Sequence, residues 1–162
     1  MTTIATAEGV RVTESFSDFY LRTFGDLAGY GWHLTGDPHV GDELAQEALT
    51  RVCARWGVLR EPRPYAYRVV TNLARDRWRS AQRERAALPH LVSEDTVEAH
   101  DAATLDAVRR LPEHLRDVVL LHYYADLPVD EVARALHRPS GTVKRRLSDA
   151  RAALAASLED LR

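Results

Sequence analysis

Seven prolines divide the 162 residues, at positions 38, 62, 64, 89, 112, 128 and 139, and the stretches between them repeat their apolar side chains at helical spacing. Proline has no amide hydrogen to give and pushes the residue before it out of the α region, so each proline sets a limit to a helix. Between Phe16 and Leu34 the apolar positions are Phe16, Phe19, Tyr20, Phe24, Leu27 and Ala28, one face of a helix. "TGDP" at 35–38 is turn chemistry, and the next helix is expected to open on Asp42 and run to about Trp56. "REPRP" at 60–64 breaks the chain again, with a third helix predicted from Tyr65 to about Arg85. Further helices are expected over Leu105–Arg110, Glu113–Tyr124, Val129–Leu136 and Gly141–Leu161. No segment sustains strand alternation. The expectation is an all-α protein of two small helical domains, 15–86 and 105–162, with an acidic linker at 87–104 and a disordered tail at 1–14.

A composition of 45% hydrophobic and 28% charged residues reads as a soluble globular protein, and the formal net charge of −2 does not by itself mark a nucleic-acid binder. The distribution of charge says more. Residues 1–59 carry four basic and eight acidic side chains, whereas residues 60–90 carry eight arginines against three acids. Five acids and no lysine or arginine lie between Ser93 and Val108, and residues 134–151 hold six basic side chains against Asp149 alone. Two basic islands with an acidic stretch between them fit two surfaces meeting one polyanion, although two ordinary solvated helices give the same counts.

Several function classes find no support. The lone Cys53 excludes an internal disulfide, suits a reducing cytoplasm, and in its apolar run is expected to be a small buried residue. No pair of the seven histidines has i,i+4 spacing, so neither a metal site nor a cofactor is expected. The first residues have no basic n-region with an apolar run behind it, and no stretch is apolar enough to span a bilayer, so cytoplasmic localisation without membrane insertion is expected. No Gly-rich phosphate loop or Ser/His/Asp motif argues for an enzyme.

Near the end of the chain, "PVDEVARAL" places Val129, Val132, Ala133 and Leu136 on one stripe, and "GTVKRRLSDARAAL" places Val143, Leu147, Ala150 and Leu154 on another. "HRPS" between them is short enough for the turn of a helix-turn-helix, although His137 stands where a glycine is usual, and Ser140 is expected to cap the second helix. A plain helical hairpin has the same spacing.

The whole segment "LPEHLRDVVLLHYYADLPVDEVARALHRPSGTVKRRLSDARAAL" resembles region 4 of bacterial RNA polymerase sigma factors of the sigma-70 family, extracytoplasmic-function (ECF) type. Upstream, "LTGDPHVGDELAQEALTRVCARW" resembles regions 2.1–2.2. "PYAYRVVTNLARDRWRS" resembles regions 2.3–2.4, with Asn72, Asp76 and Arg79 in the family's N-x-x-x-D-x-x-R pattern. The resemblance covers about residues 16–158 and is strongest to an actinobacterial subgroup. It implies a non-enzymatic factor that binds core RNA polymerase through the β′ clamp helices and the β flap and directs promoter-specific initiation of transcription. It also implies an anti-sigma factor as regulator. A stand-alone helix-turn-helix regulator is the alternative; it would use residues 129–154 and leave the upstream motifs without purpose.

The resemblance assigns roles residue by residue. Asp42, Glu43, Leu44, Gln46 and Glu47 form a patch that would be repelled by DNA and that falls to the basic clamp helices. The helix from Tyr65 places Arg68, Asn72, Arg75, Arg79 and Arg83 on one side, opposite Val69, Val70, Leu73, Ala74 and Trp78, and such a row suits a phosphate backbone. With the loop 57–64 it would meet the −10 element. Arg60 and Arg63 would hold phosphates, Tyr65 would stack on a base, and Tyr67 points toward the core. For the −35 element the residues are Thr142, Lys144, Arg145, Arg146, Ser148, Asp149 and Arg151. Asp149 departs from the basic residue common in the family, and an intrahelical pair with Arg145 or Arg146 is its expected role.

Overall fold

A computed structural model of the chain describes residues 14–87 and 102–159. In order they form α1 (Phe16–Thr35), α2 (Pro38–Ala54), α3 (Pro62–Ala87), α4 (Ala102–Arg110), α5 (Glu113–Val119), a π-helical turn (Leu120–Tyr124), α6 (Val129–Leu136) and α7 (Ser140–Glu159). The described residues contain no strand. Most of the expected linker, 88–101, lies outside the described residues, as does the tail 1–13; the linker's flanks are helical, in α3 and α4, and Glu14 bonds Arg22 at 2.8 Å.

Local chemistry explains the boundaries. Ser15 caps α1 by accepting from the Asp18 amide, and Gly36 ends it in the left-handed region at φ 79°. The Asp37 side chain then accepts from the amides of His39 and Val40, with Pro38 as the first helical residue. The second helix therefore starts four residues before Asp42, and Asp42 is not in its first turn. Likewise α3 begins at Pro62, so "REPRP" starts a helix as well as ending a loop, and Arg63 belongs to its first turn. The expected helix over Glu113–Tyr124 is α-helical only to Val119; the last turn widens, with the Ala125 amide bonding the Leu120 carbonyl.

In the N-terminal half α1, α2 and α3 close around Phe19, Leu27, Tyr30, Leu49, Val52, Tyr67 and Val70, all at or below 1% exposure. Inside that core the Tyr30 and Thr71 hydroxyls bond at 2.8 Å, and burial pushes the Tyr30 phenol well above its ordinary range. In the C-terminal half α7 lies on α5 and α6, burying Val118, Leu121, Leu127, Val132, Val143 and Ala150. The apolar cluster is continuous across both halves because α6 packs on α3 and the π turn on α1. Two expectations about burial fail. Cys53 is exposed, since it follows the buried Val52 by one residue and so points about 100° away from it. Trp78 is 52% exposed, because α3 runs on past the surface that covers its apolar side.

Candidate nucleic-acid and polymerase interfaces

On α2 the side chains of Asp42, Glu43, Gln46 and Glu47 are exposed, while Leu44 is 2% exposed and faces the core. Leu44 supports the acidic patch from beneath and cannot be offered to a partner, which corrects its expected place in the interface. Two of the acids are held from the side, Glu43 by Arg77 of α3 at 2.5 Å and Glu47 by Arg51 at 2.8 Å. Beside the patch lies a groove of about 510 Å³ lined by Phe16, Tyr20, Gln46, Leu49, Thr50, Cys53 and Ala54. Sequence periodicity does not disclose this groove because its residues come from two helices; the exposed angle of Cys53 next to Leu49 is the available signal.

The row on α3 divides in two. Asn72, Arg79 and Arg83 are exposed, with Arg79 only 3.8 Å from Asp76 and the Arg83 Nε donating to the Arg79 carbonyl. Arg63, Arg68 and Arg75 instead turn into the C-terminal half. Arg63 donates to the Ala125 carbonyl at 2.9 Å and to Glu131 at 3.4 Å, and Arg68 meets the His137 ring. Arg75 meets Glu113 at 2.8 Å and Asp117. Arg60 is exposed in the loop before α3. Tyr67 is fully buried, as expected, and burial pushes its hydroxyl up to about 12. Tyr65 is half-buried, with the guanidinium of Arg68 4.9 Å and that of Arg55 5.4 Å from its ring centre, so both cations compete for its face with any base.

The C-terminal unit has the geometry of a helix-turn-helix. His137 takes the left-handed conformation at φ 50° that glycine usually supplies, and its amide caps α6. Ser140 is the first residue of α7 and donates to Asp130 at 2.8 Å; it ties the two helices together and does not cap α7. Val143, Leu147 and Ala150 face the core, so Lys144, Arg145, Ser148 and Asp149 stand exposed. Thr142 and Arg146 are half-covered on the flanks, and the Arg151 Nε donates to the Leu147 carbonyl. Asp149 lies 3.9 Å from Arg145, a loose version of the expected intrahelical pair.

Comparison with known proteins decides the family. Residues 19–84 match the family described as sigma-70 region 2, and residues 101–154 match sigma-70, region 4. The chain belongs to the sigma-70 family, in its ECF branch. It is 34% identical over 134 residues to the RNA polymerase sigma-E factor of Streptomyces antibioticus, covering 78% of this chain and 74% of that one. It is 33% identical to the sigma-E factor of Streptomyces avermitilis, covering 86% and 83%, and 29% identical to the ECF sigma factor SigW of Bacillus subtilis, covering 80% and 81%. Two solved folds agree. The sigma factor RpoE of Bartonella quintana, in complex with the anti-sigma factor NepR, has a TM-score of 0.77 at 17% identity over 91% of this chain and 98% of that one. CnrH, in complex with the cytosolic domain of CnrY, has a TM-score of 0.68 at 20% identity over 90% and 88%. As a sigma factor this protein directs transcription by RNA polymerase, and the sigma factors are regulators rather than enzymes. No helix among the described residues is long and apolar enough to cross a membrane.

Proposed function

We propose that residues 15–86 bind core RNA polymerase and the −10 element, and that residues 105–162 bind the −35 element and the β flap. The chain itself catalyses nothing and works in the cytoplasm. Asp42, Glu43, Gln46 and Glu47, with the groove of Tyr20, Thr50 and Cys53 beside them, receive the basic β′ clamp helices. The row on α3 with Arg60 and Tyr65 holds the −10 strand, and α7 enters the major groove of the −35 element. The carrying observation is the segregation of charge: acids stand exposed on α2, while the outward faces of α3 and α7 are basic. DNA would be repelled by the first surface and attracted by the other two. The structure of a sigma factor of the same fold in complex with an anti-sigma factor supports such a regulator for this chain as well. Run-off transcription on genomic fragments, with core polymerase alone and with this protein added, tests the reading. New promoter-specific transcripts are expected, and their absence at saturating protein would refute it.

A further inference from the structure

The groove beside the acidic patch differs from the patch in its chemistry. Phe16 and Tyr20 of α1 form one wall and Gln46, Thr50, Cys53 and Ala54 of α2 the other, over the buried Leu49, and none of these side chains is charged. The α1 wall is preformed. The Phe16 ring meets Trp56 edge-on at 5.5 Å and Tyr20 at 6.2 Å, and Tyr20 stacks on Phe24. A charge placed in such a groove would go unpaired, so it takes an uncharged, partly apolar segment. One is tethered at its end. Glu14, held by Arg22 at 2.8 Å, stands two residues before Phe16. Ahead of it the sequence "IATAEGVRV", Ile4 to Val12, carries three large apolar side chains and balances Glu8 with Arg11.

We propose that the segment Ile4–Val12 occupies this groove of its own chain in the free protein and leaves it when core polymerase docks. The second half of the proposal rests on the assignment of the α2 patch to polymerase. In an extended segment Val10 and Val12 share one side and Arg11 and Thr13 the other, so the valines enter the groove while the Arg11 charge stays in water. Reach is ample. The ten residues from Glu14 back to Ile4 span up to about 33 Å, against about 12 Å of α2 from Gln46 to Ala54. A tethered segment also meets its groove at an effective concentration on the order of millimolar, which a second copy of the chain does not reach at working dilution. Gln46 belongs both to the groove and to the exposed patch, so the segment and the clamp helices compete for it.

Cys53 is the lone cysteine of the chain and lies in the groove, so its rate of reaction with N-ethylmaleimide reads whether the groove is open. The full chain is compared with its double variant Val10→Asn and Val12→Asn. The variant changes no charge near the thiol and touches none of the described helices, so its circular dichroism should match wild type. A groove filled nine-tenths of the time requires Cys53 of the variant to react roughly tenfold faster. Equal rates overturn the proposal. So does a wild-type rate that falls as protein concentration rises, because it puts a second copy in the groove. The variant should also bind core polymerase up to roughly tenfold more tightly, since no segment has to be displaced. Faster labelling without tighter binding overturns the displacement and leaves the occupancy standing. Adding Glu43→Lys and Glu47→Lys then separates that failure from a failure of the polymerase assignment. Weakened core binding keeps the clamp helices on α2, and unchanged binding removes them from it.

Discussion

Arg75 and Asp117 come from different halves of the chain and meet at the seam, the carboxylate 1% exposed and the guanidinium 29% exposed. Burial raises the Asp117 carboxyl above its ordinary value of 3.8 even with Arg75 against it. Burial also works against the Arg75 charge, but Asp117 and Glu113 outweigh it and hold the guanidinium more firmly protonated. The cost of burying this pair therefore falls on the carboxylate, which is enclosed, and spares the cation, which keeps an edge in water.

That asymmetry fixes a pH dependence. The folded chain holds the Asp117 proton more tightly than the unfolded chain does, so ionising Asp117 costs stability above its folded pKa, and acid relieves that cost. Asp117→Asn removes the titration. The stability of the Asn variant relative to wild type should therefore rise as pH increases from about 4 toward neutrality. Urea midpoints across that range check it; a relative stability that falls with pH would mean Arg75 overcompensates the burial.

Core binding should depend on the exposed acids of α2. Reversing Glu43 and Glu47 to Lys leaves the buried Leu44, Ala45, Ala48 and Leu49 untouched, so helical content should be retained. The reversal also frees Arg77 and Arg51 from their pairs and turns a negative surface positive. Association with core polymerase should weaken at least tenfold, since like charges brought together at an interface cost several kcal/mol. A pull-down as strong as wild type would place the clamp helices elsewhere.

Of the arginines in the row on α3, the seam leaves Arg79 and Arg83 exposed to meet DNA. Their replacement by Ala in the polymerase-loaded protein should weaken promoter binding across sequences. It should also lower the slope of log affinity against log salt by roughly 0.7–0.9 for each phosphate no longer neutralised. Weakening confined to certain −10 sequences, with the slope unaltered, would make them base readers instead.

How much of this is legible in the chain depends on how far apart the interacting groups lie. Helix α6 runs from Val129 to Leu136, the bounds that the stripe of Val129, Val132, Ala133 and Leu136 predicts. Periodicity carries that much, because each of those side chains answers to neighbours within two turns. It also separates Val143, Leu147 and Ala150 from the outward Lys144 and Arg145. Asp37 and Pro38 look like a break in the sequence but are a cap and a first residue, which displaces the expected start of α2. The pattern gives Trp78 the right side of α3 but not its exposure, since it shows which way a residue points and not where its covering surface ends. The partners of Arg63, Arg68 and Arg75 lie some 40 to 70 positions downstream. Each arginine looks free in the sequence because the carboxylate or ring that claims it is local only in three dimensions.

Base readout at the −35 element falls to the most outward side chain of α7. Arg145 is 85% exposed on its side chain, and Val143, Leu147 and Ala150 fix the orientation of the helix beneath it. Its guanidinium has the reach and the paired donors for the O6 and N7 of one guanine, worth roughly 1–3 kcal/mol against the wrong base. Asp149 tethers it only loosely at 3.9 Å, and an exposed pair of that kind is worth about 0–1 kcal/mol, less than the base contact would gain. DNA should therefore draw Arg145 away from Asp149, leaving Lys144 and Arg146 on the flanks to hold phosphates. In a library of −35 sequences, Arg145→Ala should relax preference at one or two base pairs with the rest of the profile unchanged. Asp149→Ala should raise activity on all sequences by a small uniform factor, because it removes a carboxylate near the phosphates and touches no base. A uniform drop for Arg145→Ala would make it one more phosphate contact. A base-specific change for Asp149→Ala would instead show the carboxylate accepting from a cytosine amino group.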